Sequence, residues 1–552
     1  MIMRTKIKDF LKKIIFIQSI VVFTFLTLYS SVDAATYFIS PSGSDSNPGT
    51  ESQPWKTIER AVSSNSLSPG DVINAMAGSY HIDPNAPGGN NNCEMFPAKS
   101  GTSGNPITLK AYNNADVLLD GRFDVKSGGG TWQQDSHAGW WVISFNWAST
   151  GALNPVRWGQ LWNGNKLIPS TKTGNFSPPN NGDWYNMDPG AKKIYYHPAN
   201  GTNPTSMPVT YAACGFMLEF DNGVSNWVVD GIDEIAATVQ AYQVHNTASY
   251  ITFQNIKMSY NGNNVCAPSR DGTNGHSMGI GGGPGIIVRN SDFSQDVAEL
   301  IHTDDTTSGG GHTFENNVFH DASMDSGWSS QCSAGYGKEY DQQRAGPGII
   351  IRSKNVVFKN NTVVRNNYEG VRIESDNTAG PASPDNLVVS GNVITDNVGA
   401  GIRGSCEISS NNVDIFGNYL SNNSINFTWQ AQITIDGNCS NYRIHDNSIV
   451  NSRHGTISIS GGSNNTQSNN CTSNCPPPSI SPPPPSPTPT PTPTPSPTLK
   501  GDLNNDRIVN SLDWSMMNSK WFTGDSTADL NSDGIVNSLD FSIMNGNWLK
   551  TL

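Results

Sequence analysis

Three short segments carry side chains able to do proton and charge chemistry at strand-like spacing. Leu300-Ile301-His302-Thr303-Asp304-Asp305, Val371-Arg372-Ile373-Glu374 and Ile402-Arg403 alternate aliphatic with ionisable residues. Successive side chains of a strand point to opposite faces, so the aliphatic residues go inward and His302, Arg372, Glu374 and Arg403 go outward in neighbouring coils. Two chemistries fit such a set. A base beside a cation can remove a proton next to a carboxylate that the cation neutralises. Lys338, Arg344, Arg372 and His302 are candidates for base or clamp, with Asp304, Asp305 or Glu374 able to hold a Ca²⁺ ion in the groove. Two carboxylates placed across an acetal can instead hydrolyse it, and Asp304, Asp305, Asp325 and Glu374 are available for that. For each residue taken singly, a solvated surface charge is the competing reading.

A second set of oxygen donors lies at the far end of the chain. GDLNNDRIVNSLDWSMMNSKWF aligns with ADLNSDGIVNSLDFSIMNGNWL. Asp502, Asn504 and Asp506 supply side-chain oxygens, Ile508 its carbonyl, Asn510 a direct or water-borne contact, and Asp513 closes the loop. The second copy repeats this with Asp529, Asn531, Asp533, Ile535, Asn537 and Asp540. Hard Ca²⁺ prefers such oxygen-rich loops, so two calcium sites are expected. The usual loop glycine is present as Gly534, but Arg507 stands at the equivalent place in the first loop, which weakens it. A helix follows each loop, with Leu512, Met517 and Trp521, or Leu539, Met544 and Trp548, on one face.

The outward residues need a scaffold, and a repeat supplies one. Phe314-Glu315-Asn316-Asn317-Val318-Phe319 returns as segments beginning at Phe358, Val389, Ile415 and Ile444, with weaker copies at Val229, Phe253 and Val288. Irregular repeats of this length indicate a solenoid, and alternation on both sides of the Asn reads as strand, tight turn, strand. Asn tolerates left-handed backbone angles and so suits the turn. Stacked coils put Asn317, Asn361, Asn392, Asn418 and Asn447 in one column, where side-chain amides bond from coil to coil. The fold class is therefore mainly β, a right-handed parallel β-helix with a β insertion, plus a small α-helical calcium-binding module. The longest interval between repeats holds Asp325, Lys338, Glu339, Asp341 and Arg344. The next longest holds Arg270, Asp271 and His276.

Residues 1–34 read as a secretory signal: basic residues to Lys13, an apolar run Ile14 to Tyr29, and small residues before Ala35. An uncleaved membrane anchor is the rival. The β-helix is expected over 35–468, a Pro/Thr-rich extended linker over 469–499, and the calcium module over 500–552. Trp residues crowd an insertion at about 123–215, serving either as a carbohydrate platform or as the insertion's own core. Export permits disulfides among the eight cysteines; Cys406–Cys439 and Cys266–Cys332 are plausible bridges. A net charge of −13 argues against nucleic acid or an anionic membrane surface as partner.

Two resemblances add to this reading. Tyr37-Phe38-Ile39-Ser40, Gly43, Asp45, Pro48-Gly49-Thr50, Pro54-Trp55, Thr57-Ile58, Ala61 and Pro69-Gly70-Asp71 resemble the N-terminal cap of secreted β-helix proteins related to polysaccharide lyases, with a short helix from Pro54 or Trp55 covering the first coil. The tandem loops resemble a type I dockerin, which implies docking onto a cohesin of a scaffold or cell surface. Together they imply a secreted or cell-surface protein whose partner is a polysaccharide, cleaved by a lyase or hydrolase acting on an acidic glycan. The alternative is a non-catalytic carbohydrate binder. A groove lined by carboxylates with Lys or Arg favours the enzyme; a flat aromatic or Asn/Thr face favours the binder.

Overall fold

The computed structural model describes residues 34–81, 94–144 apart from 129, 160–261 apart from short gaps, 276–304 apart from 297–298, 309–322, 346–375, 383–475 apart from 428, and much of 500–550. The chain divides into two compact units, 1–484 and 485–552. Among the described residues no helix is long and apolar enough to cross a membrane.

The first unit winds through three parallel sheets of twelve, ten and nine strands. One coil runs Thr313–Glu315, Val318–His320, Ile349–Ile351, and the next runs Val357–Lys359, Thr362–Val364, Val371–Ser375. Strand-to-parallel-strand crossovers take the right-handed sense, giving a right-handed parallel β-helix. The alternation expected of the repeat sets the core. Phe314, Phe358, Val389, Ile415 and Ile444 stack in register, as do Phe319, Val363, Ile394, Leu420 and Ile449. Each is fully buried, and each large apolar side chain so removed from water contributes about 1.5–3 kcal/mol.

The asparagine column forms as expected. Asn361 Oδ1 accepts the Asn317 main-chain N–H at 2.9 Å and its side-chain amide at 3.1 Å. The same pair of bonds repeats from Asn361 to Asn392, on to Asn418, Asn447 and finally Asn470. One detail differs. The left-handed backbone belongs to the residue before the ladder, at Asn316, Asn360, Gly391, Gly417 and Asp446. Asn is required in the column for its amide, not for its φ. The weaker early copies carry Ile232, Ile256 and Ser291 in that slot, and only Ser291 offers a polar side chain.

A second ladder, not anticipated from sequence, lines the turn after the ten-stranded sheet. Ala322 N–H donates to Asn366 Oδ1, Asn366 to Asn397, Asn397 to Asn423, and Asn423 to Gln432 Oε1. Both ladders satisfy turn N–H groups that coil stacking removes from water.

The N-terminal helix spans Ile58–Val62, later than the expected start at Pro54 or Trp55, because Thr57 is its N-cap. The Asp45 carboxylate fixes that entry by accepting from Lys56 N–H, Thr57 N–H and the Thr57 hydroxyl. Ile58, Ala61 and Val62 are buried against the first coil.

The insertion forms two four-stranded antiparallel sheets. Trp132, Trp140, Trp162 and Trp184 are buried, so these rings build its interior rather than a platform. Trp147 and Trp158 lie outside the described residues. Cys406 and Cys439 form a disulfide across adjacent coils, and Cys471 pairs with Cys475. The linker expected over 469–499 starts later, because Asn470 continues the ladder and Cys471 bridges to Ser448; its remainder from 476, the Cys266–Cys332 expectation and the signal segment 1–33 lie outside the described residues.

In the second unit two helices, Ser511–Ser519 and Ser538–Gly546, pack through Met517 and Met544. The expected face is wider than the sequence suggests: Trp514 and Phe541 also meet, ring centroids 4.4 Å apart.

Candidate active face on the nine-stranded sheet

Register turns the nine-stranded sheet into columns. Met278, Ile301, Ile349, Val371, Ile402 and Ile433 point inward. The next column points outward and reads Glu219, Gln243, Gly279, His302, Ile350, Arg372, Arg403, Thr434. A second outward column holds Glu374, Ser405 and Asp436, with Arg352 and Asp304 continuing it in earlier coils. A third contains Gln240 and His276, extended by Glu299 and Glu369 just ahead of their strands. Strands repeat about every 4.8 Å, so His302 and Arg372 stand roughly 10 Å apart across the Ile350 coil. They are not in adjacent coils, as the sequence spacing had suggested. The interval between them contains a whole coil whose outward residue is apolar.

Around His302 the groups form a buried polar knot. His302 Nδ1–H donates to Glu299 Oε1 at 2.8 Å, and His276 Nδ1 lies 3.4 Å from the same oxygen. Gln240 Nε2 stands 2.6 Å from His276 Nε2. Burial alone would raise the Glu299 carboxyl; the two imidazoles and the His302 hydrogen bond outweigh it and hold it down at about 2. Burial pushes the His276 imidazole down to about 4 against the pull of Glu299. An imidazole oriented by a carboxylate through Nδ1 directs its Nε2 lone pair away, which suits proton transfer. Asp304 follows two residues on, its Oδ1 buried and, among the described residues, without a hydrogen-bond partner.

Around Arg372 cations and carboxylates alternate. Glu369 is fully buried, and its Oε2 accepts from Arg372 Nη2 at 2.7 Å and Nε at 3.2 Å. Its other oxygen accepts from Arg403 Nη1 and Gln430 Nε2. Glu374 accepts from Arg352 through Nη2 at 2.6 Å and Nε at 3.0 Å, with Arg372 Nη1 3.6 Å away. Burial works to lower the Arg372 guanidinium, but Glu369 and Glu374 prevail and raise it. Arg372 lies over the Tyr368 ring and Arg403 over Trp429, which is 54% exposed. Aromatic faces beside guanidinium groups can stack on sugar rings.

Of the sequence candidates, His302, Asp304, Arg372 and Glu374 thus fall on one face but in two centres. Asp305 and Lys338 lie outside the described residues. Glu374 is held by guanidinium groups, which leaves it poorly suited to the Ca²⁺ role considered for it. Sequence reasoning missed Glu299, Glu369, Arg352 and Asp436, and placed His276 in an insert although it begins the strand His276–Gly281. A signal was present: Glu299-Leu300-Ile301-His302 and Glu369-Gly370-Val371-Arg372 share one spacing, a Glu three residues before an outward base.

In the second unit Asp513 and Asp540 are fully buried. Asp513 Oδ1 accepts the Leu503 N–H at 2.7 Å, and Asp540 accepts from Asn531 N–H and Asn537 N–H. A carboxylate buried at loop position twelve needs a compensating cation, so the donor set fits Ca²⁺. Asp529, Asn531, Ile535 and Asn537 are described alongside them. Asp502, Asn504, Asp506, Ile508, Asn510 and Asp533 lie outside the described residues.

Fold and face define a parallel β-helix with a charged outward sheet, joined to a two-helix calcium-loop module. Residues 500–547 match the family model of the dockerin type I domain, which identifies that module as a dockerin. A stretch of 85 residues is 34% identical to "Uncharacterized protein YwoF" of Bacillus subtilis (strain 168), covering 15% of this chain and 15% of that protein. A stretch of 100 residues is 34% identical to pectate lyase PEL9 of Emericella nidulans, covering 18% of this chain and 22% of that protein. The matches therefore span less than a quarter of either curated relative. Among solved structures, a glycoside hydrolase superposes with TM-score 0.57 at 13% identity over 79% of this chain and 96% of its own. XylC, solved in complex with xylose, superposes with TM-score 0.55 at 16% identity over 77% of this chain and 70% of its own. At these identities the likeness is one of fold.

Proposed function

We propose that this chain is an extracellular enzyme that cleaves an acidic polysaccharide at the outward face of the nine-stranded sheet, carried by its dockerin. The observation that supports this most is the order along the face, with proton-accepting groups around His302 on one side of the buried Ile350 and guanidinium groups around Arg372 on the other. A uronate sugar bridging the two centres presents its carboxylate to Arg352 and Arg372. His302 Nε2 or the half-buried Asp304 carboxylate then takes the proton from the adjacent carbon. The electron pair forms a carbon–carbon double bond, the glycosidic C–O bond breaks, and the departing oxygen takes up a proton from solvent. Lys338 and Asp305 remain candidates, both outside the described residues. Trp429, exposed on this face, supplies stacking surface for a neighbouring sugar. The charge-lined face favours catalysis over simple binding, and the partial identity to a protein named pectate lyase agrees with an acidic glycan.

The signal segment 1–34, once cleaved, would release the protein outside the cell; uncleaved, it would tether the protein to a membrane. The dockerin would bind two Ca²⁺ ions and dock onto a cohesin-type partner. The deciding experiment incubates the full chain with a panel of uronic polysaccharides and follows the absorbance of unsaturated products. Reducing-end release without that absorbance would make it a hydrolase, and neither signal on any glycan would leave a binder.

A further inference from the structure

The knot around Glu299 is built like a metal site. We propose that His276, Glu299 and His302 bind one divalent transition cation of the zinc class through His276 Nδ1, Glu299 Oε1 and His302 Nδ1. These three donors lie within 4.8 Å of one another. Glu299 Oε1 is 2.8 Å from His302 Nδ1 and 3.4 Å from His276 Nδ1. Metal–ligand bonds of about 2.0–2.2 Å in tetrahedral array give ligand-to-ligand edges of about 3.4 Å. Two imidazoles with one carboxylate suit zinc-type ions, whereas Ca²⁺ wants oxygen alone.

A second observation points the same way. His276 is buried, and among the described residues its Nδ1 makes no hydrogen bond although it faces the Glu299 oxygen. Gln240 Oε1 is also buried and unpartnered, while Gln240 Nε2 faces His276 Nε2. Oxygen and nitrogen of an amide exchange places on a half-turn. With Gln240 turned over, its Oε1 accepts the His276 Nε2–H, which gives that oxygen a partner and leaves His276 Nδ1 deprotonated. His276 Nδ1 then carries a lone pair aimed at a carboxylate oxygen, an arrangement that a shared cation makes favourable. The outer hydrogen bond from Gln240 would fix tautomer and ring orientation, as partners of ligating histidines do. Gly279 makes this possible: a Cβ there would lie 2.3 Å from Gln240 Oε1.

The proposal bears on the glycan-cleaving reading at one point only. A metal-bound His302 cannot accept a proton, which assigns that task to Asp304. Its own test is binding and does not depend on activity. The full chain is stripped with chelator, saturated with Ca²⁺ to fill the dockerin, and titrated with Zn²⁺ by calorimetry, with Co²⁺ absorption reporting nitrogen ligation. One equivalent should bind, and His276→Ala should abolish it while leaving the unfolding transition in place. If that variant does not fold, Gly279→Ala should weaken Zn²⁺ binding by about 10-fold or more through displaced Gln240. No Zn²⁺ retained by the calcium-saturated protein, or unchanged binding in the folded variant, would overturn the site.

Discussion

Arg372 grips Glu369 with two N–H groups, at 2.7 and 3.2 Å, in a place where the carboxylate has no exposure to water. Arg403 and Gln430 hold the other oxygen, so one buried anion organises two cations of the outward face. Replacing Glu369 by Ala removes the buried anion that the two guanidinium groups share, leaving Arg372 with Glu374 at 3.6 Å and Arg403 with Asp436 at 3.1 Å. Removing one partner of a buried ion pair costs about 3–5 kcal/mol. Urea unfolding of Glu369→Ala should show a loss in that range, with cleavage abolished. A loss below about 1 kcal/mol would mean that the pairing does not exist in solution.

The asparagine ladder makes a graded prediction. Asn361→Ala removes the acceptor of two Asn317 bonds and strands a buried main-chain N–H, each such group costing about 1–3 kcal/mol. Asn470→Ala acts at the half-buried end of the column and should cost less. Equal midpoints for the two variants in a urea series would contradict a cooperative ladder.

Glu234 sets a pH dependence. Burial first, then the neighbouring Asp296, raises its carboxyl well above the ordinary value, and its Oε2 is buried without a partner. A folded-state value above the unfolded one means that the folded chain keeps a proton the unfolded chain releases. The stability tied to the neutral form is complete below the unfolded value, about 4.3, and declines as pH rises toward the folded value. Glu234→Gln should therefore match the parent near pH 4 and become progressively more stable than it by pH 8. Parallel pH profiles of unfolding free energy for the two proteins would refute this.

The dockerin loops should differ in strength. Gly534 permits the sharp turn of the second loop, whereas Arg507 occupies that place in the first. Asp540→Ala should abolish the tighter of two calorimetric Ca²⁺ transitions, and Asp513→Ala the weaker one. The reverse assignment would show that Arg507 is no handicap.

The Cys406–Cys439 bridge closes a separation of 33 residues between adjacent coils. Chain-entropy arguments put its contribution at about 3–4 kcal/mol. The Cys406→Ser, Cys439→Ser double variant should lose that much stability by denaturant titration under oxidising conditions.

The amino-acid order alone determined the solenoid, because a period of alternating residues around a recurring Asn has few other solutions, and the first ladder column was legible from Asn317 to Asn447, though not its last member Asn470. The dockerin was equally legible, since its tandem copies are local in sequence. Outward placement of His302, Arg372 and Glu374 followed from strand alternation. What only the tertiary structure decided is which coil faces which. Coil lengths vary, so His302 meets Glu299 and His276 while Arg372, a coil further away than its spacing implied, meets Glu369 and Arg403. Those partners are joined by stacking register, a long-range property set by how much chain each loop consumes. The buried polar groups at this face follow from that register: a residue that reads as a surface charge in the sequence becomes, one coil over, the anchor of a site.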